Sequence, residues 1–208
     1  MPTPPPTIVL RQAQATFAEG LVFARYLDQA AEGFFRFMLG RRAADIIATA
    51  YTQPDHDLSH QHVTFAERDN VIVGMVSGYT AAEHRGSSLA PLRQAAGRLA
   101  LRMRTMTLLC APVLRVLDTI ADDDFYLQAI AVDKDRRGQG LGSILFDAIE
   151  DRARAAGALH LALDVSAKNE TARRFYDRHG LTIASQWPKR VPLPGVRLLR
   201  LTKALRPE

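Results

Sequence analysis

The amino-acid sequence predicts an α/β fold, because strand-like runs alternate with helical periodicity through its second half. Phe125–Val132 is a largely apolar run typical of a buried strand, and glycines follow it at 138, 140 and 142. A second strand is predicted at Leu159–Val165, and Asn169 begins a further helix that Gly180 ends. The helix between the two strands is marked by an apolar stripe: Ile144, Leu145, Ala148 and Ile149.

The N-terminal half predicts a strand, helices and a hairpin. Ile8–Ala13 has the pattern of a first strand, and Phe17–Leu39 predicts one or two helices broken near Gly33. His62–Glu67 and Val71–Tyr79 flank a three-residue turn and predict a β-hairpin. Glycines in the second strand of this hairpin indicate a close approach by another backbone or a ligand.

A helical insertion is predicted at about residues 86–120, which is long for a connection within a compact domain. Its apolar residues recur at 4-3-4-3-4 spacing and predict one amphipathic helix of about five turns ending at Pro112. The members of this stripe are Leu92, Ala96, Leu99, Met103, Met106 and Cys110. Val113–Thr119 predicts a shorter second helix. We expect the insertion to pack on the core or form a dimer contact; a lid over a substrate site and a nucleic-acid surface are the alternatives.

The C-terminal segment completes the predicted fold. The last two strands are predicted at Leu181–Trp187 and Val196–Thr202. The Pro-rich, basic segment Pro188–Gly195 predicts the loop between them. At 208 residues the chain is expected to be one domain, 1–208, carrying the insertion.

Composition narrows the class of protein. With 47% hydrophobic and 24% charged residues the chain is ordinarily globular, and it contains no run of 18 apolar residues that would predict a membrane span. Cys110 is the single cysteine, so neither an intramolecular disulfide nor a cysteine metal cluster is expected. The first residues lack the pattern of a signal peptide. We therefore expect a cytoplasmic protein.

Positive charge is concentrated in one part of the chain. Residues 81–120 contain six arginines and two acidic residues, so this segment carries +4 of the formal net charge of +5. A basic balance of this kind favours anionic partners.

A cluster of histidines in the N-terminal half could suggest a metal site, because histidine is a common metal ligand. His56, His60 and His62 lie near two aspartates, but the surrounding residues are typical of a loop that leads into a strand. No functional metal is expected.

The glycine-rich stretch after the strand Phe125–Val132 predicts a phosphate-binding loop, because glycine permits positive φ and a helix begins there with unpaired N–H groups. A Walker A loop would need Lys-Ser or Lys-Thr, which is absent. Gly138, Gly140 and Ser143 fit a dinucleotide-binding loop loosely, with Asp164 as its acidic residue. However, five residues separate Val132 from Gly138, and 44 residues after Asp164 are too few for the rest of that fold.

A third pattern, Arg/Gln-x-x-Gly-x-Gly/Ala, is matched by Arg137, Gly140 and Gly142. With the flanking strands and the later Asn-x-x-Ala-x-x-Phe-Tyr of residues 169–176, it resembles the GNAT (Gcn5-related) N-acetyltransferases over roughly 60 residues. Leu181 directly follows Gly180, where family members often have phenylalanine. The resemblance implies the GNAT fold, a central mixed β-sheet flanked by helices, with coenzyme A lying where two neighbouring strands splay apart.

The resemblance also implies a set of functional residues. Tyr176 would be the catalytic acid that protonates the thiolate of coenzyme A, and no metal is required. The residues expected to bind acetyl-CoA are Ile130, Ala131 and Val132 on the strand, Arg137, Gly138, Gln139, Gly140, Leu141, Gly142 and Ser143 in the loop, and Asn169. Packing is the structural alternative for Tyr176, and helix capping for Asn169.

The predicted function is transfer of an acetyl group from acetyl-CoA directly to a primary amine of a small molecule or a protein. The general base is left open among Glu83, His84, Asp122, Asp123 and Asp124; the three aspartates are expected to form a solvated turn, and the strand offers Tyr126 and Gln128 in place of a glutamate. Two other functions compete: a catalytically silent CoA-binding sensor or scaffold, and an Arg-rich nucleic-acid-binding protein.

Overall fold

The structure, a computed structural model, describes residues 8–111, 114, 119–188 and 197–205. Its strands are β1 (Ile8–Gln12), β2 (Val63–Arg68), β3 (Val71–Thr80), β4 (Asp124–Val132), β5 (His160–Ser166), β6 (Thr182–Trp187) and β7 (Leu198–Ala204). Its α-helices are α1 (Phe17–Ala30), α2 (Phe34–Leu39), α3 (Ala43–Tyr51), α4 (Ala81–Gly86), α5 (Ala90–Ala96), α6 (Ala100–Leu109), α7 (Leu141–Ala155) and α8 (Glu170–Arg178).

Within the described residues the strands form a seven-stranded mixed sheet in the order β1-β2-β3-β4-β5-β7-β6. β2 and β3 form the predicted hairpin, but its turn is two residues, Asp69 and Asn70, both at positive φ. Asparagine and aspartate tolerate this conformation, and the turn geometry matches the twist of the two strands.

The parallel contact between β4 and β5 is short and positions the site. In the described part of the sheet it consists of Asp124–His160, Phe125–Leu161 and Tyr126–Ala162. Beyond Tyr126 the two strands separate, so the second half of β4 has β3 as its neighbour and an open edge on the other side. The predicted splay between two neighbouring strands is confirmed.

A β-bulge lies in β4 where the strands begin to separate. Ser77 of β3 is opposite Ala129, whereas Gly78 is opposite Leu127, so Gln128 is the extra residue. The bulge changes which side chains face each side of the sheet. Before it, Phe125 and Leu127 pack with the core that contains α7, and after it Ala129 and Ala131 pack with the core that contains α1.

Helices cover both faces of the sheet. α1, α3, α5 and α6 contribute to the apolar core on one face, and α7 and α8 to the core on the other. α1 and α2 are separated at Gly33, which has φ 86°, so the predicted helix break is confirmed. The α/β class and the mixed sheet flanked by helices are confirmed as well.

The prediction of one five-turn helix in the insertion was wrong. Gly97 adopts φ 51°, and a 3-10 turn at Gly97–Leu99 separates α5 from α6. The apolar stripe nevertheless packs on the α1 core: Ala96 and Met103 are buried, and Leu92, Leu99, Met106 and Cys110 are partly buried against it. The predicted helix Val113–Thr119 falls mostly outside the described residues.

The remaining elements match the predicted order with small changes in their ends. β1 ends at Gln12, one residue before the predicted end, and β7 extends to Ala204. The predicted loop Pro188–Gly195 lies outside the described residues apart from Pro188, as does Val196, where the last strand was expected to begin.

Candidate active site

The glycine-rich loop joins the open end of β4 to the first turn of α7. A short 3-10 turn, Lys134–Arg136, follows β4, and Gly138 and Gly140 then take φ values of 76° and 83°. Leu141 is buried in the core, which anchors the start of α7, whereas residues 137–140 are exposed. The loop therefore presents its backbone to solvent at a helix N-terminus.

The glycines of this loop serve two different purposes. A Cβ atom at Gly138 or Gly140 would meet no atom within 4 Å, so glycine is needed there for the positive φ and leaves open space above the backbone. A Cβ atom at Gly142 would lie 3.2 Å from the ring of Phe175. Gly142 therefore permits α7 and α8 to pack closely.

The loop carries backbone donors that are unpaired among the described residues. Among the described residues, no acceptor is found for the backbone amides of residues 138–142, and the first turn of α7 adds the positive end of its dipole. Unpaired, exposed amides at a helix N-terminus fit an anionic ligand. The loop residues predicted from the sequence are thus brought together.

Arg68 is a residue of this site that sequence analysis missed. It lies at the end of β2, yet its Nη1 donates to Oε1 of Gln139 at 3.1 Å. Its Nε is buried and has no hydrogen-bond partner in the described part of the chain. The contact joins residues 71 positions apart, so no local sequence signal reveals it. Arg68 therefore brings a guanidinium to the loop that also contains the exposed Arg137.

Ser143 is held by His179 of the segment that follows α8. The hydroxyl of Ser143 lies 3.1 Å from Nε2 of His179, and Nδ1 of the same ring lies 2.8 Å from the carbonyl of Phe175. Because a carbonyl only accepts, Nδ1 carries a proton. His179 therefore ties the first turn of α7 to the end of α8.

The open edge of β4 offers backbone groups between the loop and the bulge. The amide of Asp133 donates to the carbonyl of Val73 on β3, so the carbonyl of Val132 points away from β3. By alternation along the strand, the carbonyl of Ile130 and the amide of Val132 point the same way. The backbone of Ala131 faces β3 instead.

Helix α1 contacts the same edge. Nε2 of Gln29 donates to the carbonyl of Val132 at 3.1 Å, and the hydroxyl of Tyr26 donates to Asp133 at 2.9 Å. Arg25 forms an ion pair with Asp133 at 2.8 Å. The carbonyl of Val132 is therefore already paired, and Ile130 and Val132 contribute one carbonyl and one amide to the open edge.

Tyr176 lies in α8 and is 7% exposed. Burial raises the pKa of its phenol above the ordinary value, so the hydroxyl is protonated at neutral pH. No hydrogen-bond partner for this hydroxyl is found among the described residues. Its ring packs on Phe175 with centroids 5.4 Å apart, and Phe175 in turn covers Gly142. α8 thus links the loop to a phenol that is available as a proton donor.

A buried polar network lies where β4 and β5 separate. The hydroxyl of Tyr126 donates to Asp164 at 3.1 Å, and Arg200 binds Asp164 through Nε at 2.9 Å and Nη2 at 2.5 Å. Burial, followed by the charge of Asp164, raises the pKa of Tyr126 well above its ordinary value. The network therefore holds Tyr126 at the end of the paired part of β4 and β5.

Asn169 is the N-cap of α8. Its Oδ1 accepts from the amide of Ala172 at 3.0 Å, and its Nδ2 donates to Glu32 at 2.8 Å. The capping role is therefore present, and the contact with Glu32 connects α8 to the end of α1. A contact of Asn169 with acetyl-CoA stays a prediction and would replace the one with Glu32.

The candidate bases occupy different surroundings. Glu83 completes the capping box of α4 with Thr80, and Asp122 is paired with Arg85. Asp123 uses its carbonyl to receive the amide of Leu159. His84 donates from Nδ1 to Asp57 at 2.9 Å and stacks on Tyr79, whose ring lies 5.7 Å from that of Tyr126. An imidazole oriented by a carboxylate in this way leaves Nε2 as the basic nitrogen.

The expectation of a solvated turn was wrong for Asp124. This residue begins β4, is 8% exposed and lies 3.3 Å from Nδ1 of His160. Burial raises the pKa of its carboxyl group.

Two histidines of the predicted cluster, His56 and His60, have structural contacts. Nε2 of His56 is 2.8 Å from the carbonyl of Ala50, and Nδ1 of His60 is 3.1 Å from the carbonyl of Tyr51. In the part of the chain that the structure describes, no group of three His, Cys, Asp or Glu side chains could hold a metal ion. None of the described helices is long and apolar enough to cross a membrane.

Comparison with known proteins identifies the family. The family model for the acetyltransferase (GNAT) family matches residues 25–181. A crystal structure of an acetyltransferase is similar with TM-score 0.66 and 22% identity, covering 95% of this chain and all of that chain. An N-acetyltransferase from Staphylococcus aureus Mu50 is similar with TM-score 0.62 and 16% identity, covering 94% of this chain and all of that one.

A third similar structure is the ribosomal-protein-S18-alanine N-acetyltransferase from Escherichia coli, with TM-score 0.51, 15% identity, and coverage of 96% of this chain and 94% of that one. No curated protein matches the sequence. At these identities the solved structures show the fold alone. Because the family model spans most of the chain, including β4, the glycine-rich loop and α8, the protein belongs to the GNAT acetyltransferase family.

Proposed function

We propose that this protein is an acetyl-CoA-dependent N-acetyltransferase that acts by direct transfer to a primary amine. The observation that carries the proposal is that three features occur together in this fold. They are the unpaired amides of the loop, the open edge of β4 and the hydroxyl of Tyr176. Together they provide an anion site, a backbone edge and a proton donor in the order that a thioester-bearing nucleotide requires.

The residues of the chain have distinct tasks in this proposal. The amides of residues 138–142 bind the pyrophosphate, Arg137 and Arg68 supply positive charge beside it, and Ser143 lies in the first turn of α7. The carbonyl of Ile130 and the amide of Val132 orient the extended arm along β4. Acetyl-CoA supplies a thioester whose carbonyl carbon is the electrophile. Tyr176 protonates the departing thiolate.

The acceptor in this proposal is a primary amine of a small molecule or a protein. His84, oriented by Asp57, is the candidate base whose geometry suits proton transfer. It takes the proton from the amine directly or through a water molecule. Holding both substrates in one complex supplies much of the rate, so no covalent enzyme intermediate is needed.

Calorimetric titration with acetyl-CoA tests the proposal, using Gly140→Asp and Gly140→Asn as a matched pair. Both side chains tolerate positive φ better than other residues, and they differ by one charge. We expect the wild type to bind acetyl-CoA at micromolar concentrations. Asp should abolish binding because its carboxylate repels the pyrophosphate, whereas Asn should weaken binding less.

Three results would contradict the acetyltransferase proposal. Absence of acetyl-CoA binding by the folded wild type would reject the acetyltransferase proposal and favour the Arg-rich nucleic-acid alternative. Equal binding by Gly140→Asp and the wild type would place the pyrophosphate elsewhere. Binding without turnover on a panel of small amines and lysine or N-terminal peptides would favour the CoA sensor.

A further inference from the structure

Gln128 is the bulged residue of β4, and the proposed function assigns it no role. It has no opposite residue on β3, because Ser77 faces Ala129 and Gly78 faces Leu127. It also lies beyond Tyr126, the last residue of β4 that pairs with β5 in the described sheet. Bulges re-aim side chains and are common next to active sites. Gln128 is therefore placed at the beginning of the open edge.

The orientation of the Gln128 carboxamide is fixed by Ser77. The hydroxyl of Ser77, which is 0% exposed, donates to Oε1 of Gln128 at 3.0 Å. Ser77 belongs to β3, so Oε1 points toward β3. The hydrogen bond from Ser77 uses Oε1, so the two N–H groups of Nε2 are left to donate elsewhere. No described residue accepts a hydrogen bond from Nε2.

The position of Gln128 agrees with that of the other site residues. Gln128 lies four positions before Val132, about 13 Å along the strand. Its neighbour Leu127 belongs to the same buried cluster as Tyr176, and Tyr126 is the last residue of β4 that pairs with β5. An arm that begins at the loop and follows the open edge of β4 therefore brings its reactive end to the bulge.

We propose that Nε2 of Gln128 donates a hydrogen bond to the carbonyl oxygen of the acetyl thioester and stabilises the negative charge that develops there. The inference rests on the proposed function. As the amine nitrogen bonds to the acyl carbon, the π electrons of the carbonyl move to its oxygen. They return when the C–S bond breaks. The thiolate takes a proton from Tyr176, the amine gives its excess protons to the base and solvent, and solvent returns one proton to Tyr176.

A neutral amide suits this task better than a carboxylate. A donor directed at the oxygen stabilises the transition state more than the ground state, because the oxygen becomes more negative. A glutamate at position 128 would accept a proton but repel the same oxygen. The presence of Gln128 therefore does not imply loss of catalysis.

Calorimetry with acetyl-CoA and with free CoA as separate ligands tests the inference without knowledge of the acceptor. In Gln128→Ala we expect affinity for acetyl-CoA to fall about three- to tenfold, the effect of one hydrogen bond, with affinity for CoA unchanged. Gln186→Ala is the control, because Gln186 is also a strand residue whose carboxamide is fixed, in its case by Arg197 at 2.6 Å. It should change neither affinity.

Kinetic variants provide the second readout, with the best amine of the panel as acceptor. Gln128→Ala should lower kcat about 100-fold while the KM of the amine changes little. Gln128→Glu, of nearly the same shape, should lower kcat at least as much. Ser77→Ala should give an intermediate loss because it frees the carboxamide. Thermal unfolding of each variant establishes that it is folded.

The outcomes separate the two proposals. If Gln128→Ala loses affinity for CoA and acetyl-CoA equally, or for neither, or if Gln128→Glu is as active as the wild type, Nε2 does not contact the thioester and the inference fails alone. If the wild type binds neither ligand, the proposed function fails and the inference fails with it.

Discussion

At the scale of single residues, the chemistry of the site depends on how burial affects polar groups. Tyr176 is nearly buried, and burial disfavours its anionic form, so its pKa is raised. A phenol that stays neutral keeps a proton to donate, although a raised pKa makes it a weaker acid. Tyr126 is also buried, but its hydroxyl already donates to Asp164. The two tyrosines therefore differ in whether the hydroxyl already donates to an acceptor among the described residues.

Tyr176→Phe tests the acid role, since phenylalanine keeps the ring packing on Phe175. We expect kcat to fall about 100- to 1000-fold with affinity for acetyl-CoA unchanged. Because the pKa is raised, the hydroxyl of Tyr176 keeps its proton at least up to about pH 10, where an ordinary tyrosine ionises. The kcat profile of the wild type should therefore show no decline from Tyr176 between neutral pH and that limit. An unchanged kcat in the variant would assign Tyr176 to packing.

At the scale of elements, glycines set how closely neighbouring segments approach. Gly142 lets α7 approach Phe175 of α8, and Gly78 lets β3 approach β4 at the bulge. A Cβ atom at Gly78 would lie 2.7 Å from the carbonyl oxygen of Tyr126 and 2.7 Å from the ring of Phe125. Backbone cannot yield there as a flexible side chain does, so the register around Gln128 depends on this glycine.

Gly78→Ala should accordingly destabilise the protein by about 3 kcal/mol, because it overpacks the β3–β4 contact. Gly86→Ala is the matched control, since a Cβ atom at Gly86 meets no atom within 4 Å. It should change the free energy of unfolding by less than about 0.5 kcal/mol. Denaturant unfolding of both variants measures the difference, and equal stability of the two would contradict the packing argument.

At the scale of the whole molecule, the insertion is part of the core on the α1 face. Met103 is 6% exposed and packs there, whereas Leu101 on the same helix is 73% exposed. The arginines of this segment therefore sit on helices whose apolar residues serve the fold. This packing accounts for the stripe without a nucleic acid.

Met103→Ala and Leu101→Ala form a pair that measures this contribution. We expect the first to lower the free energy of unfolding by about 2–3 kcal/mol, because a buried side chain is lost, and the second to change it by less than about 0.5 kcal/mol. Both should bind acetyl-CoA as the wild type does. Equal, small effects would show that the insertion is not integral to the core.

The sequence by itself determined the features that depend on neighbours in the chain. Glycines at 138 and 140 indicated positive φ, Asn169 a helix N-cap, and Gly33 a helix break, and each is present. The order of strands and helices and the family followed from the same short-range signals. The residues of the site could be proposed because most belong to one strand, one loop and one helix.

Tertiary structure decided the features that join distant parts of the chain. The apolar stripe at 92–110 suggested one helix, although a turn at Gly97 interrupts it. The spacing persists because the residues on both sides of the turn pack against the same core. Arg68 reaches Gln139, and Ser77 fixes Gln128, across 71 and 51 positions. Such contacts depend on sheet register, and a one-residue bulge changes which face each side chain occupies. Local sequence patterns carry no record of that register.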